Sequence, residues 1–164
     1  MQFDDQFDFD CAAATLLRMF SDPGYYRAKY ERLGGPQPEF VAHKLENDVF
    51  TITVRHVLTV ADLQLPSFAR KLVGETLVLR QTDTWQLDSG RGQIDVEIES
   101  KPITTRIDLA LDEQGHGTRL IMAFTIAADL PLIGNKVERA LADGLKQRLH
   151  DDLQVTAAMV EDYV

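Results

Sequence analysis

At 164 residues, with 45% hydrophobic side chains and a formal net charge of −9, the chain suits one domain whose core needs no disulfide or metal to hold it together. The excess of Asp and Glu over Lys and Arg, 26 against 17, argues against nucleic acid and anionic membranes as partners, since both require clustered cations. The lone cysteine, Cys11, rules out an internal disulfide and zinc sites of the multi-Cys kind, and reads as a small packed residue.

The opening residues, Met1-Gln2-Phe3-Asp4-Asp5, are acidic where a secretory signal is basic and then apolar, so a reducing cytoplasm is the expected compartment. No apolar run has the length of a bilayer span, and no stable membrane insertion is expected. Phe3, Phe7 and Phe9 punctuate a first strand. Asp10 then offers a cap for a short helix over Cys11–Phe20, rich in Ala and Leu. Ser21-Asp22-Pro23 opens a second short helix through Leu33, and Gly34-Gly35-Pro36 ends it.

From Glu39 the pattern has period two. Phe50, Ile52, Val54, His56, Leu58 and Val60 share one face of a strand, with Thr51, Thr53, Arg55 and Thr59 on the other. Pro66 to Val73 interrupts with Phe68, Leu72 and Val73 at roughly helical spacing; this is a short covering turn and a candidate lid. Thr76 to Leu87 resumes the strand, with Leu77, Leu79, Gln81, Asp83 and Trp85 on one face. After the turn Ser89-Gly90-Arg91-Gly92 come Ile94, Val96 and Ile98, then Ile103, Ile107, Leu109 and Leu111. A hairpin at Gln114-Gly115-His116-Gly117 leads to Leu120, Met122, Phe124 and Ile126. Strands that alternate apolar with polar residues suit an antiparallel sheet with one wet face.

The final stretch, Pro131 to Val164, reads as one long helix of about 45 Å, with Ile133, Val137, Leu141, Leu145, Leu149, Leu153 and Ala157 recurring every fourth residue. Gly144 weakens a helix interior, and close approach of its backbone to the sheet would explain it. The order is one strand, two short helices, about six strands and a long helix: an α+β domain spanning residues 1–164, in which the last helix covers the apolar concave face of a curved sheet of about seven strands.

Leu65-Pro66 with Phe68 and Val73-Gly74, Gln81-Thr82-Asp83-Thr84-Trp85, and Leu130-Pro131-Leu132-Ile133-Gly134 leading into Val137-Glu138 carry a resemblance over essentially the whole chain. In these and in its element order the sequence resembles the START/Bet v 1-like superfamily of lipid-transfer domains, ligand carriers and polyketide cyclases (SRPBCC), and within it a domain-of-unknown-function family. The resemblance implies the helix-grip fold and a deep, mainly apolar cavity between sheet and last helix. It implies no reaction, because a fold does not fix a function.

Polar side chains on the inward faces are the candidate site residues, since burying them without partners is costly. They are His56, Gln81 and Asp83 on strands, with Glu138, Arg148 and Asp152 on the long helix, the last two at ion-pair spacing. Phe50, Val54, Trp85, Met122, Phe124, Leu145 and Tyr163 would supply the apolar wall. His56 with Asp83 or Asp152 is the candidate base and orienter for proton transfer. Each residue also has a plain reading: His56 hydrogen-bonded in the core, Arg148 and Asp152 paired at the helix edge, Trp85 filling space.

Other catalytic grammars are missing. There is no P-loop and no Gly-x-Ser-x-Gly, and Gly90-Arg91-Gly92 lacks the third glycine of a dinucleotide site. His43, His56, His116 and His150 are scattered, so neither a metal nor a cofactor is expected. The leading expectation is binding or carriage of a small apolar or amphipathic molecule, lipid-like or aromatic. The alternatives are a cyclase- or hydratase-type enzyme using His56 with a cavity carboxylate, and an interaction module whose cavity is filled by its own side chains.

Overall fold

The alternating stretches are strands. The computed structural model describes residues 1–62 and 65–164. In chain order the strands are β1 (Gln2–Phe9), β2 (Glu39–Glu46), β3 (Val49–Thr59), β4 (Thr76–Gln86), β5 (Arg91–Ile98), β6 (Ile103–Gln114) and β7 (Gly117–Ala128). They form a curved sheet in the spatial order β1-β7-β6-β5-β4-β3-β2, antiparallel at every pairing. β3 and β4 run in unbroken register from Val49 opposite Gln86 to Thr59 opposite Thr76. Their inward side chains are therefore those that the period-two reading put together.

Because β1 and β2 sit at opposite edges of the sheet, the two helices between them, α1 (Ala13–Phe20) and α2 (Pro23–Leu33), link one edge to the other. Asp22 caps α2 by accepting from the Gly24 N–H at 2.9 Å, and Gly34, at φ 74°, takes the left-handed conformation that ends it. Asp10 does not cap α1. That helix begins two residues later than expected, behind Ala12 with no side-chain cap of its own. Glu113, at the far end of β6, accepts from the Ala13 N–H instead, at 3.4 Å.

α3 (Ser67–Val73) occupies the expected covering segment. The long helix, α4 (Gly134–Met159), has 26 residues, or about 39 Å, rather than the whole of Pro131–Val164. Pro131–Ile133 form a turn in which Leu132 has φ 69°, and Val160–Tyr163 tighten into a 3₁₀ turn. The residues α4 buries are Val137, Ala142, Leu153, Thr156 and Met159, not the strict every-fourth ridge. At 3.6 residues per turn such a ridge drifts by about 40° per step. Leu141, Leu145 and Leu149 are thereby rotated to half-buried positions.

Two hydrophobic clusters result. The larger lies under α1, α2 and the C-terminal half of α4 and includes Phe20, Tyr25, Tyr26, Phe50, Trp85, Phe124 and Met159. The smaller, around Leu77, Ile98, Ile103, Ala128 and Val137, is flanked by Phe68, Leu72 and Leu141. Gly144 lies against neither: it is exposed, and a Cβ there would meet nothing within 4 Å. Close backbone approach is therefore not the reason for this glycine. Gly144→Ala is expected to raise the unfolding free energy by about 1 kcal/mol; a neutral or destabilising result in urea titration would contradict the open geometry.

Candidate functional site

The sequence of α2 contains few aliphatic residues, so its inward face falls to Tyr25, Tyr26 and Tyr30, and Lys29 lies among them. Tyr25 shares a 2.7 Å hydrogen bond with the Thr156 hydroxyl on α4, and Tyr26 donates to the Phe20 carbonyl at 2.8 Å. Lys29 is 4% exposed. Its Nζ lies 5.5, 5.4 and 4.8 Å from the ring centroids of Tyr25, Tyr26 and Tyr30, and 3.1 Å from Oδ2 of Asp152. Burial works against the ammonium, but Asp152, the tyrosines and Asp83 outweigh it, holding the Lys29 pKa well above the ordinary lysine value.

Asp83 arrives from β4, two residues from Gln81 and on the same face. It is 6% exposed and accepts from Gln81 Nε2 at 2.8 Å. Burial pushes its carboxyl up to about 6, against the pull of Lys29 and Gln81. His56 is equally buried and meets the Tyr30 ring edge-on at a centroid distance of 5.1 Å. Burial, then the charges of Arg148 and Lys29, push its imidazole down to about 4, so it is neutral at physiological pH.

Asp83, Trp85, Met122 and Asp152, with Lys29 and the α1–α2 aromatics, line an inner cavity of about 40 Å³. That is room for about one water. The other expected wall residues lie elsewhere. Phe50, Val54 and Phe124 are buried in the main core and Leu145 is packed against it, while Arg148 is exposed. Asp152 pairs with Lys29 rather than with Arg148. Glu138 accepts from the Ala128 N–H at 3.0 Å and so ties α4 to the end of β7. Tyr163 donates to Asp22 at 2.6 Å.

The His56–Asp83 dyad does not form. His56 stands opposite Leu79, whereas Asp83 stands opposite Ile52. Four residues of strand, about 13 Å, separate the two positions. Trp85 is wall and packing at once: it stacks on Phe20 at 4.7 Å, and Gly92 lies so close that a Cβ there would come within 2.8 Å of the indole.

A larger cavity, about 270 Å³, opens at the other end of α4. Ala69, Leu72 and Val73 of α3 form one wall, and Val137, Ala140 and Leu141 of α4 another. Leu130, Ile103 and the turn Ser100-Lys101-Pro102 complete it. No residue singled out as a ligand contact lines it. The sequence reading missed this chamber because much of its wall is a short helix and two turns, where strand periodicity carries no information, and which part of α4 faces them has no local signal. The segment Pro66–Gly74, read as a lid, covers it, and Lys136 Nζ stands 5.1 Å over the Phe68 ring at its edge. Among the described residues no three His, Cys, Asp or Glu side chains gather as metal ligands.

The family described as "Protein of unknown function (DUF2505)" matches residues 4–160. No curated protein matches the sequence. Among solved structures, TTHA0849 from Thermus thermophilus superposes with a TM-score of 0.66 at 12% identity, over 99% of this chain and 98% of that one. Ara h 8.0201 superposes with 0.62 at 12% identity, over 99% and 98%. The Zhui aromatase/cyclase from Streptomyces sp. R1128 gives 0.64 at 9% identity, over 98% and 93%. At such identities the likeness is one of fold: the Bet v 1-like helix grip that the element order implied.

Proposed function

Since the chain belongs to the DUF2505 family of unknown function, we propose, from its own geometry, that it binds a small apolar or amphipathic molecule in the chamber between α3 and the N-terminal half of α4. The observation that carries this reading is the chamber itself, about 270 Å³ and walled mostly by aliphatic side chains. An open, mostly apolar recess of this kind is the usual form of a small-molecule site. The volume matches roughly nine water-sized groups, hence a monocyclic aromatic or a medium-length acyl chain rather than a sterol.

Ala140→Phe projects a ring into the chamber from α4. It is expected to weaken binding of decanoate or decanol about tenfold or more while the fold stays intact, with titration calorimetry and methyl NMR shifts of Leu72 and Leu141 as readouts. Equal affinity in the wild type and the variant would overturn the reading, as would freshly purified protein that takes up neither probe.

The cyclase- or hydratase-type alternative keeps one supporting observation, a buried Asp83 titrating near 6 beside Lys29. It would use Lys29, Asp83 and Asp152 rather than His56. Against it, the inner cavity holds about 40 Å³, too little for a carbon skeleton unless Phe20 and Trp85 part.

A further inference from the structure

Leu132 is a fully exposed leucine whose φ of 69° lies in the left-handed region that favours glycine. That backbone turns its side chain outward, onto nothing, at the tip of the β7–α4 turn. The turn is joined to the β5–β6 turn by the Asp129 N–H, which donates to the Pro102 carbonyl at 2.9 Å. Both turns, with α3, frame the larger chamber. These three segments and the first two turns of α4 carry Arg70, Lys71, Lys101, Lys136 and Arg139, all exposed. Of the four carboxylates among them, Glu75, Glu99, Asp129 and Glu138, two are paired with cations outside this group: Glu99 with the Arg55 guanidinium and Glu138 with the Met1 ammonium at 3.0 Å. Elsewhere acids dominate, since the chain as a whole is at −9.

We propose that this end of the molecule docks reversibly on an anionic lipid surface, with Leu132 entering the acyl boundary and Arg70, Lys71, Lys101 and Lys136 meeting the phosphates. An apolar anchor joined to a small basic patch is the two-part device of peripheral membrane proteins. The net negative charge does not forbid it. Screening confines electrostatics to about 8 Å at physiological salt, so acids on the far side of the sheet do not reach the bilayer. A protein partner fits less well, because a stable protein interface covers roughly 800 Å² per side and the protruding apolar surface here is essentially one leucine. The biological sense of the docking rests on the ligand-binding reading, a membrane being the reservoir of an amphipathic guest, but its test does not.

The test is cosedimentation with vesicles of phosphatidylcholine alone and of phosphatidylcholine with about 30% phosphatidylglycerol. The wild type is expected to partition about tenfold more strongly onto the anionic vesicles, and to be released by salt. Leu132→Asp and the double reversal Lys71→Glu/Lys101→Glu are each expected to lose about fivefold or more of that binding. Lys44→Glu, on β2 near the opposite end, leaves it unchanged. Equal partition onto both vesicle types, or wild-type behaviour of the Leu132 and lysine variants, overturns the proposal. So does the absence of sedimentation with either vesicle, which would leave this end as a protein-docking face. Ala140→Phe separates the two ideas: vesicle binding retained while probe binding disappears everywhere, wild type included, would sink the ligand reading alone.

Discussion

Replacing Lys29 by methionine is expected to lower the unfolding free energy by about 3 kcal/mol and the melting temperature by roughly 6–12 °C. Methionine keeps the unbranched stem among the Tyr25, Tyr26 and Tyr30 rings but removes Nζ, and with it the ion pair and the cation's contacts with those rings. It strands two carboxylates. Asp152 loses its 3.1 Å partner, but 22% of its side chain reaches solvent, which places the cost at the lower end of that known for broken buried pairs. Asp83, almost wholly buried, loses the cation that favours its ionised form. Asp152→Asn is expected to cost more, because the ammonium of a side chain 5% exposed then loses its ion-pair partner and keeps only the ring faces and the field of Asp83. The double variant Lys29→Met/Asp152→Leu should recover most of the loss. Urea unfolding decides: a change below about 1 kcal/mol for Lys29→Met would mean that Asp152 and Asp83 do not depend on this cation.

Asp83→Asn is expected to stabilise the protein by about 3 kcal/mol near pH 8 and by little near pH 4. A carboxyl raised from 3.8 to about 6 binds more protons folded than unfolded between those values. Its contribution is fully present below 3.8 and is lost as pH rises through 6. His56 acts with the opposite sign. Lowered from 6.5 to about 4, it favours the fold fully above 6.5 and loses that contribution as pH falls toward 4. Across the shared window the two slopes oppose, and the wild type is expected to be nearly flat. Asp83→Asn removes one slope and exposes the other, so the variant should lose about 3 kcal/mol on acidification from neutrality to pH 4. Parallel pH profiles for variant and wild type would contradict the buried setting of Asp83.

Legibility in the sequence followed periodicity. The face Gln81, Asp83, Trp85 on β4 and the face of His56 on β3 were readable because successive strand residues alternate sides. Their register across the sheet was not, and register is what separates His56 from Asp83. On α4 the apolar pattern showed that a covering helix exists, but the every-fourth count hid the drift that brings Ala142 and Thr156 inward. Lys29 was discoverable. With Tyr26, Tyr30 and Leu33 on one face of α2, a lysine at the same azimuth was a candidate for burial, and a buried lysine requires a carboxylate. Which carboxylate supplies it depends on how α4 lies across the molecule, a tertiary fact without a local signature. The chamber under α3 was equally hidden, because turns and a helix of seven residues close it against α4.

The pairing of Lys29 with Asp152 also sets a constraint in time. The two residues lie near opposite ends of the chain, and β1 likewise waits for β7, from Gln2 opposite Thr125 to Phe9 opposite Thr118. The hairpins β2 to β7 close through neighbours in the chain, whereas the first strand and the first charged core residue find their partners only once β7 and α4 have been made. On a ribosome the edge of β7 that takes β1, and the apolar face of the early helices, therefore stay uncovered until late, the kind of surface through which partly made chains aggregate.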